Sequence, residues 1–225
     1  MMMNNLFSIF DPSSNIYFSM NWFSLIFIML FISNYYWLIP SKLNFLWLML
    51  FNYINKELKI SLNNYMNKFN LLLLLSLFIY IMLNNFISLF PYIFSNSSHL
   101  SFSLFLSLNL WVGFMLMGWI NNTIHTLSHF TPQGTPNLLL PFMVLIESVS
   151  NLIRPMTLAV RLTANIIAGH LLMTLLSQLI SIMNFNMMLL MILIQSFLVI
   201  LEVAVSFIQS YVFTILCSLY AAESN

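Results

Sequence analysis

The stretch IESVSNLIRPMTLAVRLTANIIAGHLL, residues 146–172, decides how this chain reads. It holds Glu147, Arg154, Arg161 and His170, yet most of the residues between them are Leu, Ile, Val, Ala or Met. Ionisable groups inside a hydrophobic helix are costly, so they face protein or a water-lined path. The stretch lies within a nearly continuous helical pattern, 138–183, interrupted only by Pro141 and Pro155. At 1.5 Å per residue the pattern spans roughly 65 Å, about twice a bilayer's hydrocarbon thickness. Such a segment is expected to tilt, to lie partly in the membrane plane or to bend, with Pro155 the natural place.

The rest of the chain fits a protein whose main solvent is lipid. Of its 225 residues, 61% are hydrophobic and only 5% charged, and mean hydropathy is +0.94. A soluble domain carries about 25% charged residues. Four of the six basic residues, Lys42, Lys56, Lys59 and Lys68, fall in one connection between hydrophobic segments. Positive charge gathers on the cytoplasmic or matrix side, which is where this connection is expected. A single cysteine, Cys217, excludes an internal disulfide and reads as a small buried hydrophobe. The first fifteen residues contain no lysine or arginine, unlike a secretory leader or an Arg-rich transit peptide. The abundance of Phe, Met, Ile and Asn suits an AT-rich coding sequence such as an organelle genome.

The pattern predicts an all-α polytopic membrane protein forming one domain over residues 1–225, with about five transmembrane helices. The first span is read at 18–39 and ends at Pro40. Over 41–68, Trp47, Leu48, Leu50, Phe51, Ile54, Leu58 and Leu62 recur at helical spacing opposite Asn, Lys and Glu, as in an interfacial amphipathic helix. A poorly formed extra span is the opposing reading, and the cluster Lys56–Glu57–Lys59 counts against it. Further spans follow at 69–90 and 100–120, separated by the polar turn SNSSH at 95–99, with Gly113 and Gly118 offering close helix approach. Residues 121–136, with two prolines and a glycine, read as a loop. The long segment 138–183 and the last span, 187–219, then form a long, tilted C-terminal hairpin around a turn at 184–186.

Helical arithmetic sorts the polar residues. Glu147, Asn151, Arg154, Arg161 and Asn165 step by four, three, seven and four residues along one face. Glu202, Ser206 and Gln209 mark a stripe on the last span. Antiparallel packing would bring Arg161 and Gln209 to similar depth, because they lie about equally far from the turn. His170 sits about 180° around an ideal helix from Arg161 and some 13 Å along it, so the two belong to different stretches of any one route. Each residue also has a plainer reading. Arg154 suits a snorkelling residue at the membrane boundary. Arg161 suits a static salt bridge, and Glu147 suits an i+7 partner for Arg154.

Other chemistries find little support. His125 and His129 stand four apart without the intervening glutamate of a metalloprotease, and paired haem ligands need matched histidines on neighbouring spans. No phosphate loop or nucleic-acid patch is present, and no cofactor or metal is expected. A redox proton pump or secondary transporter also uses buried Glu, His and Arg, but such proteins carry inverted repeats, more spans or buried lysines. A purely structural assembly subunit leaves the aligned stripes unexplained.

The run Arg154-Pro155-x-x-Leu158-Ala159-x-Arg161-Leu162-x-x-Asn165-x-x-x-Gly169-His170 resembles subunit a of F-type ATP synthases. The likeness extends along essentially the whole chain, including the TPxGTP-like loop at 131–136, and length and composition resemble insect mitochondrial members. It implies a multi-pass, proton-conducting stator of the mitochondrial inner membrane that makes no bond in ATP itself. Protons are then the transported ion, the partners a c-subunit ring, the peripheral stalk and other Fo subunits, and membrane lipid, with no nucleic acid. Arg161 matches the family's invariant arginine, which faces the ring and separates two aqueous half-channels. Asn165, His170, Glu202 and Gln209 match positions that line the path or flank that arginine, and Glu147 an acidic position near the matrix end. Bacterial relatives often carry an acid at the His170 position and a histidine at the Glu202 position, an exchange shared with mitochondrial members.

Overall fold

A computed structural model describes residues 6–14, 18–32, 38–62, 68–131, 136, 139–180 and 184–223. Six helices, α1 to α6, follow a 3-10 turn at Leu6–Phe10 and a short helical run at Met20–Phe31. They are α1, Lys42–Ser61; α2, Lys68–Ser88; α3, Leu100–Asn121; α4, Thr123–His129; α5, Leu140–Ile180; and α6, Phe185–Glu223. Apolar length suffices to cross a membrane in four of them, α2, α3, α5 and α6. The chain is therefore an all-α polytopic membrane protein.

Local chemistry explains most boundaries. Ser41 caps α1, its hydroxyl accepting from the Asn44 backbone N–H at 3.4 Å. Pro141 lies in the first turn of α5, where its missing N–H leaves no bond unmade. Pro155 lies deep inside α5, yet the helix continues through it, where bending was one of the expected outcomes. Its ring removes the donor that would reach the Asn151 carbonyl, so the ladder has a gap there.

Three expectations change. Residues 121–136, read as loop, contain the helix α4. Residues 132–135 and 137–138 of that region lie outside the described residues. The first apolar helix ends at Phe31 and Ile32 turns extended, so the described helix is shorter than a full span; 33–37 lie outside the described residues. Gly113 faces open space, with nothing within 4 Å of where a Cβ would stand, whereas Gly118 is buried. Close helix approach is therefore ruled out at Gly113.

One core joins the elements. Ile54, Leu58 and Leu62 from the α1 region meet Leu74, Phe78, Ile81 and Met82 of α2, Phe114 of α3, Leu158 and Leu162 of α5, and Phe213, Cys217 and Ala221 of α6. The apolar stripe of α1 divides accordingly. Trp47, Phe51, Ile54 and Leu58 turn inward, while Leu48 and Leu50 stay exposed. The inner face of α6 is built from small residues, Ser206, Ser210, Thr214, Cys217, Ser218 and Ala221, all buried. Their size lets backbones approach, and the hydroxyls of Ser206, Ser210 and Ser218 bond back to carbonyls three residues earlier, leaving no lone donor.

Ala159 has no exposed surface, so Ala159→Leu is expected to overpack α5 and cost about 1–3 kcal/mol, lowering the yield of assembled complex. Gly113→Ala is expected to leave that yield unchanged. Quantifying intact complex on native gels tests both, and equal yields would place the close helix contact elsewhere.

Candidate functional site

Helices α5 and α6 carry Glu147, Arg161, Asn165, His170, Glu202 and Gln209, the six candidate path residues. Two contacts fix how they pair. Gly169 of α5 lies against the Glu202 side chain of α6, and Arg154 of α5 hydrogen-bonds Glu223 in the last turn of α6. The later residue of α5 meets the earlier residue of α6, and the earlier meets the later, as antiparallel neighbours require.

Glu202 is the most enclosed of the candidate residues, with 8% of its surface exposed. Neither carboxylate oxygen has a hydrogen-bond partner. It shares a cavity with Asn165, Ala168, Gly169 and Leu172 of α5, Ser206 of α6 and Leu89 after α2. Gly169 makes the seat. A Cβ there would stand 2.8 Å from Oε1 and 3.0 Å from the carboxyl carbon. An alanine at this position therefore pushes the acid aside, which the sequence alone did not reveal.

Arg161 lies on the same face of α5 as Asn165 and Ala168, two of the residues that line this cavity, and is absent from the lining itself. It is exposed, among the exposed residues Thr157, Val160, Ala164 and Ala168, and has no ion-pair partner among the described residues. The static salt bridge considered for it is absent among those residues. Gln209 is half-buried on α6. His170 turns away from Arg161, half-buried against the Ser88 backbone, with the Phe10 ring edge-on at 6.2 Å. Asn165 and Glu202 are thus brought together, while His170 and Arg161 occupy separate faces, as their angular spacing requires.

Glu147 and Arg154 do form the i+7 pair, at 3.7 Å between Oε1 and Nη2. Arg154 is also held by Glu223, and its guanidinium stands 5.3 Å from the centre of the Tyr220 ring. It is a structural cation with partners, in place of a free snorkelling one. Glu223 and Tyr220 were missed because sequence spacing cannot reveal a partner so far along the chain.

A further polar group was also missed. Asn84, Asn85 and Ser88 at the end of α2 and Ser95, Asn96, Ser97 and Ser98 in the following turn are buried. Polar composition had marked 95–99 simply as a turn. Asn96 donates to Ser24 of the first apolar run at 2.5 Å. Several atoms remain unpartnered: both amide atoms of Asn85, Asn96 Oδ1, Ser97 Oγ and the Nε2 atoms of His99 and His170. Buried unsatisfied groups are rare in folded proteins, and here several gather in one seam.

The fold, with one buried carboxyl group and a seam of buried polar side chains, defines a multi-pass membrane protein. Residues 16–222 match the family profile described as ATP synthase A chain. The chain is 50% identical over 224 residues to ATP synthase subunit a of Drosophila melanogaster, covering 100% of both chains. It is 50% identical over 223 residues to that of Locusta migratoria, covering 99% of each, and 50% over 226 residues to that of Aedes albopictus, covering 100% of each. The chain belongs to the ATP synthase A chain family. It is a proton-translocating, non-catalytic subunit of the Fo sector and a multi-pass protein of the mitochondrial inner membrane.

The Gly169 seat yields a direct test. Gly169→Ala is expected to keep the complex assembled while displacing the Glu202 carboxyl, with proton flux per complex falling about tenfold, as misplacement of a reacting group does. Flux through purified complex in vesicles measures it. Unchanged flux would show that Glu202 has no fixed position to keep.

Proposed function

We propose that Arg161, Glu202, His170, Asn165, Gln209 and Glu147 carry the proton path, and that Arg161 faces the carboxylates of the c-subunit ring. The observation that carries this reading is a pair of groups on neighbouring parts of one surface: an exposed guanidinium with no ion-pair partner among the described residues, and a buried, unpartnered carboxyl group in a cavity lined by Asn165 and Ala168 of the Arg161 face. The unpartnered seam at the end of α2 supports an inward half-channel leading to His170 and Glu202. Asn165 and Gln209 flank the step from that channel to the ring. Glu147, some 21 Å of helix beyond Arg161 on the side away from His170, serves the outward half-channel.

Chemistry assigns the roles. A guanidinium stays protonated in any protein setting, whereas a carboxyl or an imidazole can gain and lose a proton. Each arriving ring carboxylic acid gives its proton to the outward channel and is held ionised by Arg161. It then takes a new proton from the Glu202 side and moves into lipid as a neutral acid. No proton passes through the arginine itself, because a wire through a fixed cation is electrostatically unfavourable. Each proton that crosses 100 mV releases about 2.3 kcal/mol, and ring rotation carries that energy away.

In this reading α1 lies at the matrix interface, the run beginning at Met20 belongs to a fifth span, and α5 and α6 form a tilted hairpin. The lysines of α1, the Ser41 cap and the inward turn of Trp47, Ile54 and Leu58 support an amphipathic surface helix. The peripheral stalk and lipid cover the apolar surface away from the ring.

Arg161→Ala is expected to abolish coupled ATP synthesis per assembled complex and to open a passive leak. Arg161→Lys is expected to fail severely, since an ammonium lacks the planar fork and loses its proton more readily in an apolar setting. Glu202→Gln is expected to leave assembly intact while slowing proton flux strongly. Synthesis and leak in vesicles, normalised to complex, measure all three; near-normal synthesis in the Arg161→Ala protein would end the proposal. The topology has its own test. Residue 56 and residue 223 should label from the same side of oriented vesicles, and labelling from opposite sides would refute five spans.

A further inference from the structure

Residues 140–154, the first part of α5, are held differently from the rest of the helix. None of them is fully buried, whereas Pro155, Leu158, Ala159, Leu162, Thr163 and Ile166 all are. Phe142, Leu145, Ile146, Val149, Leu152 and Ile153 of this arm are exposed. The two parts of α5 meet at Pro155, where the backbone ladder lacks one bond and kinks arise most readily.

Arg154 stands at that joint. Its guanidinium reaches back two turns to Glu147, spanning the Asn151 carbonyl that Pro155 leaves without a helical donor. It also reaches across to Glu223 on α6 and lies against the Tyr220 ring. Asn151, Arg154, Tyr220 and Glu223 line one cavity with Trp111 and Phe114 of α3, so the arm has room to move once the contact is lost.

We infer that Arg154 is a positioning residue: it clamps the loosely packed arm of α5 to the last turn of α6 across the Pro155 joint, and so keeps Glu147 in line with Arg161. The inference rests on the proposed outward path through Glu147. Glu147 lies eight residues before Pro155, about 12 Å of helix, so a change of about 10° at the joint moves it by about 2 Å. Displacement on that scale is enough to break a hydrogen-bonded proton transfer. An arginine suits the task because its planar fork serves two carboxylates at once, which a lysine cannot do with fixed geometry.

The test uses the whole ATP synthase in inverted inner-membrane vesicles, with every rate normalised to assembled complex. Glu223→Gln and Arg154→Gln should each lower the coupled synthesis rate about tenfold. The exchange Arg154→Glu with Glu223→Arg should restore it to within about twofold, because the arginine introduced at 223 then faces the carboxylate at 154 and renews the tie between α5 and α6. A contact that only stabilised the fold would reduce the amount of complex and leave the rate per complex unchanged. That result overturns the inference, as does failure of the exchanged pair to recover in an assembled complex. Arg161→Ala in the same vesicles separates the two readings. If it abolishes synthesis while Glu223→Gln does not impair it, the clamp alone is wrong. If Arg161→Ala retains synthesis, the proposed path is wrong.

Discussion

Serine, threonine, cysteine and alanine occupy the inner face of α6 where a soluble bundle would place leucines, and that choice sets the rest of the structure. Lipid is as apolar as a leucine side chain, so burying leucines between membrane helices gains little. Small residues gain contact by bringing backbones together, and their hydroxyls satisfy themselves on the preceding turn. Where α6 comes close to α5, Gly169 removes the last obstacle and the Glu202 side chain fills the space. An acid in that position keeps only 8% of its surface exposed.

The two arginines of α5 show how surroundings give one residue type two different tasks. Arg154 has two carboxylates and an aromatic ring around it, so its charge is already answered within the chain. Arg161, two turns further on, is exposed among valine, threonine and alanine and has no ion-pair partner among the described residues. A cation left unpaired at a hydrocarbon-facing surface is expensive. It is tolerable when another protein surface brings the counter-charge, which accords with the ring contact proposed for it. The small neighbours Ala164 and Ala168 leave space around the guanidinium, so an approaching carboxylate meets little steric hindrance.

Much of this was legible in the sequence because lipid imposes simple patterns. The ends of α2, α3, α5 and α6 fall within a few residues of where hydrophobic runs begin and stop. The opposite orientations of Arg161 and His170 followed from helical angle alone. Less visible were features that depend on distant or short segments. Seven residues offer too few turns for periodicity to speak, so α4 was read as loop. The serines and asparagines at 95–98 carried the composition of an exposed turn, yet they are buried because the α2–α3 connection folds into the bundle. Gly113 and Gly118 looked alike in sequence, and only packing distinguishes the buried one. Arg154 had two readings because its partner on α6 is 69 residues away.

In the proposed path protons move continuously while charge is interrupted, and a fixed cation on α5 provides the interruption. His170 lies on the face of α5 opposite Arg161, against Ser88 of the seam of unpartnered amides and hydroxyls. Glu202 sits between the two, in a cavity whose lining residues Asn165 and Ala168 share the Arg161 face. In that reading a proton passes around the helix from the His170 side by way of Glu202, and a ring carboxyl group that moves past Arg161 carries it on. The gap that Pro155 leaves in the ladder lies away from Glu202, beside Arg154, whose charge is already answered by Glu147 and Glu223.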